Sequence, residues 1–359
     1  MTYRMLGIMS GTSLDGLDLC RCDLTYERGR WSYDLARAAT VPYPEAWRAR
    51  LDAAIALAPD ATGPLDIAYA TYLAEAVAAF LTADERDVVV ASHGHTVHHD
   101  PASGYTRQIG DPVTVARLTG RRVVADFRSL DVRLGGEGAP LVPVVDRLLF
   151  GGAAACVNLG GFANLSYERD GRRVASDATV CNLLLNRLAE RRGLRYDDRG
   201  ALAAAGTADP VLLALLDADP FFRRPPPKSL GREWFEAAVW PPFSRKLDEG
   251  SLGLEDALAT AVRHVVVQLS RLLAAAPAGE VLVTGGGARN THLLNGLRQN
   301  LPRGAHLAEA PELLVDYKEA LAFALLGALR LRGETNVLAS VTGARRDSCS
   351  GVIAEPSLV

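Results

Sequence analysis

The stretch Leu6–Leu19, LGIMSGTSLDGLDL, decides the fold. Apolar residues lead into it and alternating apolar residues lead out, so both flanks are predicted to be strands. Gly11 and Gly16 in the turn between them permit a positive φ and close approach of a ligand. Amides and hydroxyl groups of such a turn can bind an anion, and Asp15 can hold a cation that the anion shares.

Two interpretations of this turn stay open. The spacing of Gly11 and Gly16 imitates a Walker A loop, but Leu17 stands at the lysine position and a strand follows instead of a helix. The functional interpretation is a phosphate loop at the tip of a β-hairpin. The other is a polar hairpin turn without a ligand, because the same residue types populate most turns.

Composition limits the class of protein. The 359 residues, 48% of them hydrophobic, suffice for two globular domains. A net charge of -3 indicates no basic surface for nucleic acid or an anionic membrane. Five cysteines without zinc-type spacing are typical of reduced core residues in a cytosolic protein. Because the sequence shows neither a leader nor a long apolar span, we expect a cytoplasmic protein.

A second strand, glycine turn and strand begin near the middle of the chain. Ala155–Leu159 and Leu165–Tyr167 are predicted strands, and Gly160–Asn164 is the turn. The repeat predicts an internal duplication, with two hairpins holding a polyphosphate from both sides. A third glycine turn, Gly285–Gly287, follows the predicted strand Glu280–Thr284 and allows a base or ribose to lie against the backbone.

Charged side chains stand at the ends of two further predicted strands. Asp126 and Arg128 follow one apolar run, and ligands gather at the carboxyl ends of strands in open α/β sheets. These two residues are plausible substrate contacts or a local ion pair. Asp177 ends another strand just before a predicted helix, Val180–Arg191, where it is either an N-cap or a general base.

The segment SHGHTVHHD contains His93, His95 and His98. Its spacing resembles a zinc motif of metal-dependent hydrolases, with Val97 in place of an aspartate. A metal-dependent hydrolase is therefore an alternative function, although a second set of ligands is not evident. Histidines at a strand end also bind substrates by hydrogen bonds.

Many ordered segments together resemble one family along nearly the whole chain, that of anhydro-N-acetylmuramic acid kinase in the actin/hexokinase/Hsp70 ATPase superfamily. The matching segments are MSGTSLDGLDL, SHGHTVHHDP, QIGDP, VVADFRSLD, GGEGAPLVP, VNLGGFANLS, PPPKSLGREWF, VTGGGARN, YKEALAFALLGAL and SVTGA.

The resemblance implies an α/β fold of two actin-like (RNase H-like) domains with duplicated mixed sheets and a nucleotide cleft between them. We expect residues 1–134 plus 335–359 to form domain I and residues 135–334 to form domain II, with Gly135–Gly138 as a candidate hinge. The implied cofactors are ATP and Mg²⁺. We also expect a homodimer that acts on a small anhydro-amino-sugar.

The resemblance also implies roles for individual residues. Asp177 matches the catalytic aspartate, and Glu319, at the start of the predicted helix Tyr317–Arg332, matches a cleft acid. Thr96, Asp126 and Arg128 match the sugar-binding wall, where the planar fork of Arg128 suits the lactyl carboxylate. Asp15 lies near the magnesium. The residues implied to contact the nucleotide are Gly11, Thr12, Ser13, Leu14, Asp15, Gly16, Leu17, Asp18, Gly160, Gly161, Asn164, Gly285, Gly286 and Gly287.

Members of the family open the 1,6-anhydro bridge of anhydro-N-acetylmuramic acid and phosphorylate O6, using ATP and a water molecule. The product, N-acetylmuramic acid 6-phosphate, belongs to peptidoglycan recycling. One segment departs from the family, which commonly reads DTGPGN where residues 177–182 here read DATVCN. This departure leaves an alternative open, a relative that binds or hydrolyses nucleotide with another sugar or in a sensory role.

Overall fold

The computed structural model describes residues 1–11 and 14–356 of an α/β protein. The chain divides into two compact units. Unit 1 comprises Met1–Leu149 with Tyr317–Val359, and unit 2 comprises Phe150–Asp316.

The strands of the described residues are numbered in chain order. They are β1 (Thr2–Ser10), β2 (Gly16–Glu27), β3 (Arg30–Pro42), β4 (Val89–Ser92), β5 (His95–Asp100), β6 (Tyr105–Ile109), β7 (Val123–Ala125), β8 (Ala155–Leu159), β9 (Phe162–Arg169), β10 (Arg172–Val180), β11 (Glu280–Thr284), β12 (His306–Ala308) and β13 (Val352–Ala354).

The helices are numbered in the same way. They are α1 (Glu45–Ala54), α2 (Gly63–Phe80), α3 (Pro112–Thr119), α4 (Ser129–Arg133), α5 (Pro143–Leu149), α6 (Asn182–Glu190), α7 (Ala201–Ala205), α8 (Pro210–Asp217), α9 (Arg232–Trp234), α10 (Trp240–Asp248), α11 (Leu254–Leu273), α12 (Thr291–Asn300), α13 (Glu312–Arg332) and α14 (Ala339–Thr342). A π-helical turn, Phe235–Val239, joins α9 to α10.

The two main sheets repeat one topology. In the described part of unit 1 the strands pair in the order β13-β7-β4-β1-β2-β3, and in unit 2 in the order β10-β9-β8-β11-β12. Strands β1, β2 and β3 form an antiparallel meander, and β4 and β7 add parallel strands beside β1. Strands β8, β9, β10, β11 and β12 repeat this pattern. The α/β class, the mixed sheets and the internal duplication are therefore confirmed.

Each unit has an apolar core built from these sheets and their helices. In unit 2, Leu258, Val262, Val265 and Leu269 of α11 are buried beside the sheet, as their helical spacing predicts. In unit 1, α2 packs on the same core as β1 and β4.

Packing of α13 explains where the two units divide. A Cβ atom on Gly7 of β1 would overlap the carbonyl oxygen of Ala320, so the helix lies directly on the strand. Residues from Tyr317 onward therefore belong to unit 1, although we expected them in the second domain up to residue 334. Helix α5 contacts β3 and extends unit 1 beyond residue 134.

The start of α13 differs from the predicted one. The helix begins at Glu312 instead of Tyr317. Lys318 and Glu319 consequently lie in the helix interior and not in its first turn.

The described residues contain no single helix that is long and apolar enough to cross a membrane. Within the same residues, one pair of helical segments, Asp198–Ala205 and Pro210–Asp217, is long and apolar enough when taken together, but it is bent by 115°.

The close packing of α13 on β1 makes a testable prediction. Gly7→Ala forces a methyl group into the Ala320 carbonyl, so we expect the free energy of unfolding to fall by about 3 kcal/mol. Urea denaturation followed by circular dichroism measures it. Gly63→Ala is the matched control, since Gly63 starts α2 with open space around it and alanine is the better helix former. Equal stability of the two variants would contradict the prediction.

Candidate active site

The first glycine turn is the tip of the β1–β2 hairpin. Ser10 pairs with Leu17, and the strand predicted to follow the turn is confirmed. Gly16 does not use the positive φ that glycine permits. Gly16 lies in β2, where a Cβ would overlap the Val41 carbonyl, and Leu14 takes the left-handed conformation with φ 59°. Thr12 and Ser13 lie outside the described residues.

The other predicted nucleotide contacts in this hairpin have different surroundings. Leu17 is fully buried in the core, which leaves only its backbone for the predicted role. Asp18 is half-buried, and its carboxylate accepts a hydrogen bond from Thr40 Oγ1 at 2.6 Å. Asp15 is exposed at the hairpin tip. A single accessible carboxylate fits Mg²⁺, because this ion keeps several waters and binds through one or two carboxylates plus substrate phosphates.

Arg128 lies beside the histidine segment in unit 1. Its Nε and Nη2 donate to His93 Nε2 at 3.1 and 2.9 Å, and its Nη1 donates to the Gly138 carbonyl at 2.6 Å. Burial lowers the pKa of Arg128 to about 10, while the charges of Glu319 and Asp131 raise it. Arg128 therefore stays a cation at neutral pH, held by backbone and imidazole.

His93 accepts these bonds as a neutral ring. Burial, followed by the charge of Arg128, lowers the pKa of His93 well below its usual value. The guanidinium has five N–H donors, of which His93 takes two and Gly138 takes one. The predicted fork of Arg128 is thus partly occupied, and two of its donors have no partner among the described residues.

Thr96 and Asp126 also have partners in unit 1. Thr96 Oγ1 accepts from Gln108 Nε2 at 3.3 Å, and Asp126 accepts from the Ser129 amide at 3.2 Å, at the start of α4. The ion-pair interpretation of Asp126 with Arg128 is therefore wrong, because each side chain bonds to other groups. Asp126 has φ 57°, a strained conformation for a residue other than glycine.

The histidine segment does not form the zinc site of the alternative hypothesis. His93 faces the guanidinium of Arg128, and His95 Nδ1 lies 2.8 Å from Ser10 Oγ. Across residues 1–11 and 14–356, no three histidine, cysteine or acidic side chains come together to hold a metal ion.

Asp177 is not the N-cap of the following helix, so that interpretation is wrong. Strand β10 continues to Val180 through a bulge at Ala178, and α6 begins at Asn182 after Cys181. The Asp177 carboxylate instead accepts a hydrogen bond from the Leu230 amide at 2.7 Å. Burial raises the pKa of Asp177 to about 6, and the Leu230 bond opposes that rise.

Lys228 anchors the loop that holds Asp177, a role that the sequence reasoning missed. The Lys228 carbonyl accepts from the Asp177 amide at 2.9 Å. Its side chain is buried, with Nζ 2.9 Å from the Phe221 carbonyl and 4.4 Å from the centre of the Phe221 ring. The basic, proline-rich segment around Lys228 marked this loop in the sequence, but no local pattern linked it to Asp177.

The glycine turns of unit 2 lie around the same end of its sheet. Asn164 pairs with Asp177 across β9 and β10. A Cβ on Gly285 or Gly287 would overlap β8, at Asn158 and Leu159 respectively. The structure therefore places Asp177, Asn164 and the glycine turns of unit 2 at the same end of this sheet.

Residues at the start of α6 form hydrogen bonds with the second glycine turn, at Gly160 and Gly161. The Cys181 amide donates to the Gly161 carbonyl at 2.8 Å, and the Asn182 amide donates to the Gly160 carbonyl at 3.1 Å. Asn182 Nδ2 donates to the Leu159 carbonyl at 2.8 Å. These bonds fix the turn by backbone geometry.

The unusual residues after Asp177 point into the core. Ala178, Val180 and Cys181 are at most 1% exposed and pack in the apolar core of unit 2. Because these three side chains lie in the core, they do not narrow the surroundings of the Asp177 carboxylate.

The sequence is similar to one known family along nearly its whole length. A sequence model of the family described as anhydro-N-acetylmuramic acid kinase matches residues 3–356. Proteins named anhydro-N-acetylmuramic acid kinase are 40% identical over 357 residues in Pseudomonas putida and 36% identical over 356 residues in Pseudomonas fluorescens, each alignment covering 95% of this chain and 96% of the relative. The protein of that name in Cupriavidus pinatubonensis is 39% identical over 374 residues, with 98% of each chain covered.

The raised pKa of Asp177 predicts how stability depends on pH. The unfolded carboxyl ionises near pH 4, whereas the folded one holds its proton up to about pH 6, so the native state loses stability as pH rises between these values. Asn cannot ionise and still accepts the Leu230 bond. Asp177→Asn should therefore raise the free energy of unfolding by about 2 kcal/mol at pH 8, and by less near pH 4.

Urea denaturation at both pH values measures this effect. Asp52→Asn, at an exposed position of α1, is the control and should show no comparable pH-dependent gain. An Asp177→Asn effect of the same size at pH 4 and pH 8 would contradict the assigned burial of the charge.

Proposed function

The chain belongs to the anhydro-N-acetylmuramic acid kinase family, and we propose that it uses ATP to open the 1,6-anhydro bridge of anhydro-N-acetylmuramic acid and to phosphorylate O6. It is a kinase that transfers a phosphoryl group to an alcohol of a small sugar. The observation that carries the proposal is Asp177, a partly buried carboxylate beside two glycine turns with a pKa raised to about 6.

Asp177 has the properties of a general base for a water molecule. A base works best when its pKa lies near the operating pH, since it is then ionised yet basic enough to take a proton. Asp177 takes a proton from water as the water oxygen attacks C1 of the sugar. The C1–O6 bond breaks, O6 attacks the γ-phosphorus, and ADP leaves with the electron pair of the broken P–O bond.

Positioning and charge neutralisation provide most of the catalysis in phosphoryl transfer. Asp15 would hold Mg²⁺, which supplies charge neutralisation at the β- and γ-phosphates when it is bound. The hairpin tip of unit 1 and the glycine turns of unit 2 offer backbone amides for the phosphates.

Arg128 is proposed to bind the lactyl carboxylate of the sugar. Its two remaining N–H donors and its positive charge suit a carboxylate, and neutral His93 fixes the orientation of the guanidinium. Glu319 adds a carboxylate whose charge acts on Arg128. Thr96 and Asp126 contribute polar groups from the neighbouring segments of unit 1.

The remaining parts of the proposal concern the setting of the enzyme. We expect it to work in the cytoplasm, where ATP is available, and to contribute N-acetylmuramic acid 6-phosphate to peptidoglycan recycling. We further expect a homodimer.

A coupled assay of ADP release tests the reaction. We expect ADP formation with ATP, Mg²⁺ and anhydro-N-acetylmuramic acid, and kcat/KM should rise with pH and level off above about pH 6 as Asp177 ionises. Asp177→Asn should lower kcat by about 10³-fold, consistent with the size of general-base effects, and keep ATP binding.

ADP release at the same rate without sugar would favour the alternative of a nucleotide hydrolase with another role. Near-normal turnover by Asp177→Asn would refute the assignment of the base.

The role of Arg128 has its own test. Arg128→Met should raise KM for anhydro-N-acetylmuramic acid by about 10- to 100-fold, because a charged hydrogen bond is lost. With the anhydro form of N-acetylglucosamine, which lacks the lactyl carboxylate, the wild-type protein and the variant should differ much less. Arg117→Met, exposed on α3, is the charge-matched control. An equal loss with both sugars would show that Arg128 does not recognise the carboxylate.

A further inference from the structure

Four buried side chains of unit 1 form a chain of hydrogen bonds at the base of the first glycine turn. Tyr69 OH lies 2.5 Å from Tyr43 OH, Tyr43 OH lies 2.7 Å from Ser10 Oγ, and Ser10 Oγ lies 2.8 Å from His95 Nδ1. Each of these residues is at most 3% exposed. The chain starts at α2 and reaches the last residue of β1, which directly precedes the turn.

The protonation states allow every hydroxyl in the chain to be paired. Burial lowers the pKa of His95 to about 4, so its ring is neutral at pH 7, and burial raises the pKa of Tyr43 to about 12, so its hydroxyl keeps the proton. If His95 Nδ1 accepts from Ser10, then Ser10 accepts from Tyr43 and Tyr43 accepts from Tyr69. Every hydroxyl is then paired, as buried polar groups require.

Tyr43 also contacts the far side of the turn. Its backbone amide donates to the Asp15 carbonyl at 3.3 Å, and it directly follows Pro42, which pairs with Gly16. One residue therefore bonds to Ser10 before the turn and to Asp15 after it.

We propose that Tyr43 is a positioning residue that fixes Ser10 and Asp15, on the two sides of the first glycine turn, for binding of the phosphates of ATP. The inference rests on the proposed function, because it needs this turn to bind phosphate. Tyr43 acts through Ser10 and Asp15 and has no contact of its own with the nucleotide. A loop whose two ends are fixed loses less conformational freedom when it binds a ligand.

A neighbouring tyrosine provides a matched control. The ring of Tyr72 lies 5.8 Å from that of Tyr43, and its buried hydroxyl has no hydrogen-bond partner among the described residues. Tyr72→Phe and Tyr43→Phe each remove one oxygen from the same aromatic cluster, but only the second breaks the link to Ser10.

Calorimetric titration with Mg²⁺ and a non-hydrolysable ATP analogue tests the inference. Tyr43→Phe should raise the dissociation constant by about three- to tenfold, the range expected for a lost buried hydrogen bond. Tyr72→Phe should bind like the wild-type protein. Tyr69→Phe removes only the outer bond of the chain and should cost at most about twofold. In the kinase assay, Tyr43→Phe should raise KM for ATP while KM for the sugar stays unchanged.

The outcomes separate the two proposals. Circular dichroism first confirms that each variant is folded. Wild-type binding by Tyr43→Phe, or an equal loss in Tyr72→Phe, overturns the positioning role and leaves the kinase proposal intact. A parallel rise of KM for ATP and sugar in Tyr43→Phe also overturns it, because general loosening would act on both. Absence of nucleotide binding by the wild-type protein overturns the proposed function, and this inference with it.

Discussion

The hydrogen bond from the Leu230 amide to the Asp177 carboxylate is the constraint on which the candidate site of unit 2 depends. Burial alone disfavours the charged form of a carboxyl group, and a backbone donor favours it. The opposition leaves the pKa of Asp177 at about 6, close to the pH at which a cellular enzyme works. Lys228 determines the position of that donor, because its buried ammonium group ties the loop to the Phe221 carbonyl.

In unit 1, burial and neighbouring charges also shift the pKa of one residue, Arg128, in opposite directions. Burial lowers the pKa of Arg128 to about 10, and the nearby charges of Glu319 and Asp131 raise it. His93 stays neutral under the same burial and accepts two of the guanidinium bonds. Among the residues that the structure describes, no carboxylate forms an ion pair with Arg128, which leaves its charge available to an anionic ligand.

Local sequence patterns predicted the strands and glycine turns, because alternation of apolar residues and the conformational freedom of glycine act over few residues. They did not predict the partners of Asp177, since Leu230 lies 53 positions further along the chain. The preference of aspartate for an N-cap was the stronger local signal there, and tertiary contacts overrode it. Strand β10 continues to Val180, and the buried Thr179 Oγ1 lies 2.9 Å from His264 Nε2 of α11. For α13, Pro311 and Glu312 were the missed start signal. In this first turn Leu314 is buried, whereas Glu312 and Leu313 are exposed.

The substituted segment after Asp177 shows why a changed sequence can keep the same site. Its backbone is held by hydrogen bonds that any residue type can make, from Asp177 to the Lys228 carbonyl and from Asn182 to the Gly160 carbonyl. The bulge at Ala178 leaves that residue without a partner on β9, and its methyl group lies in the core. Because a well-packed core tolerates changes in apolar side chains when volume is accommodated, the differences at Ala178, Val180 and Cys181 are absorbed in the core of unit 2. The position of Asp177 thus depends on the backbone path and the loop around Lys228, and both are independent of the small residues that the family commonly has here.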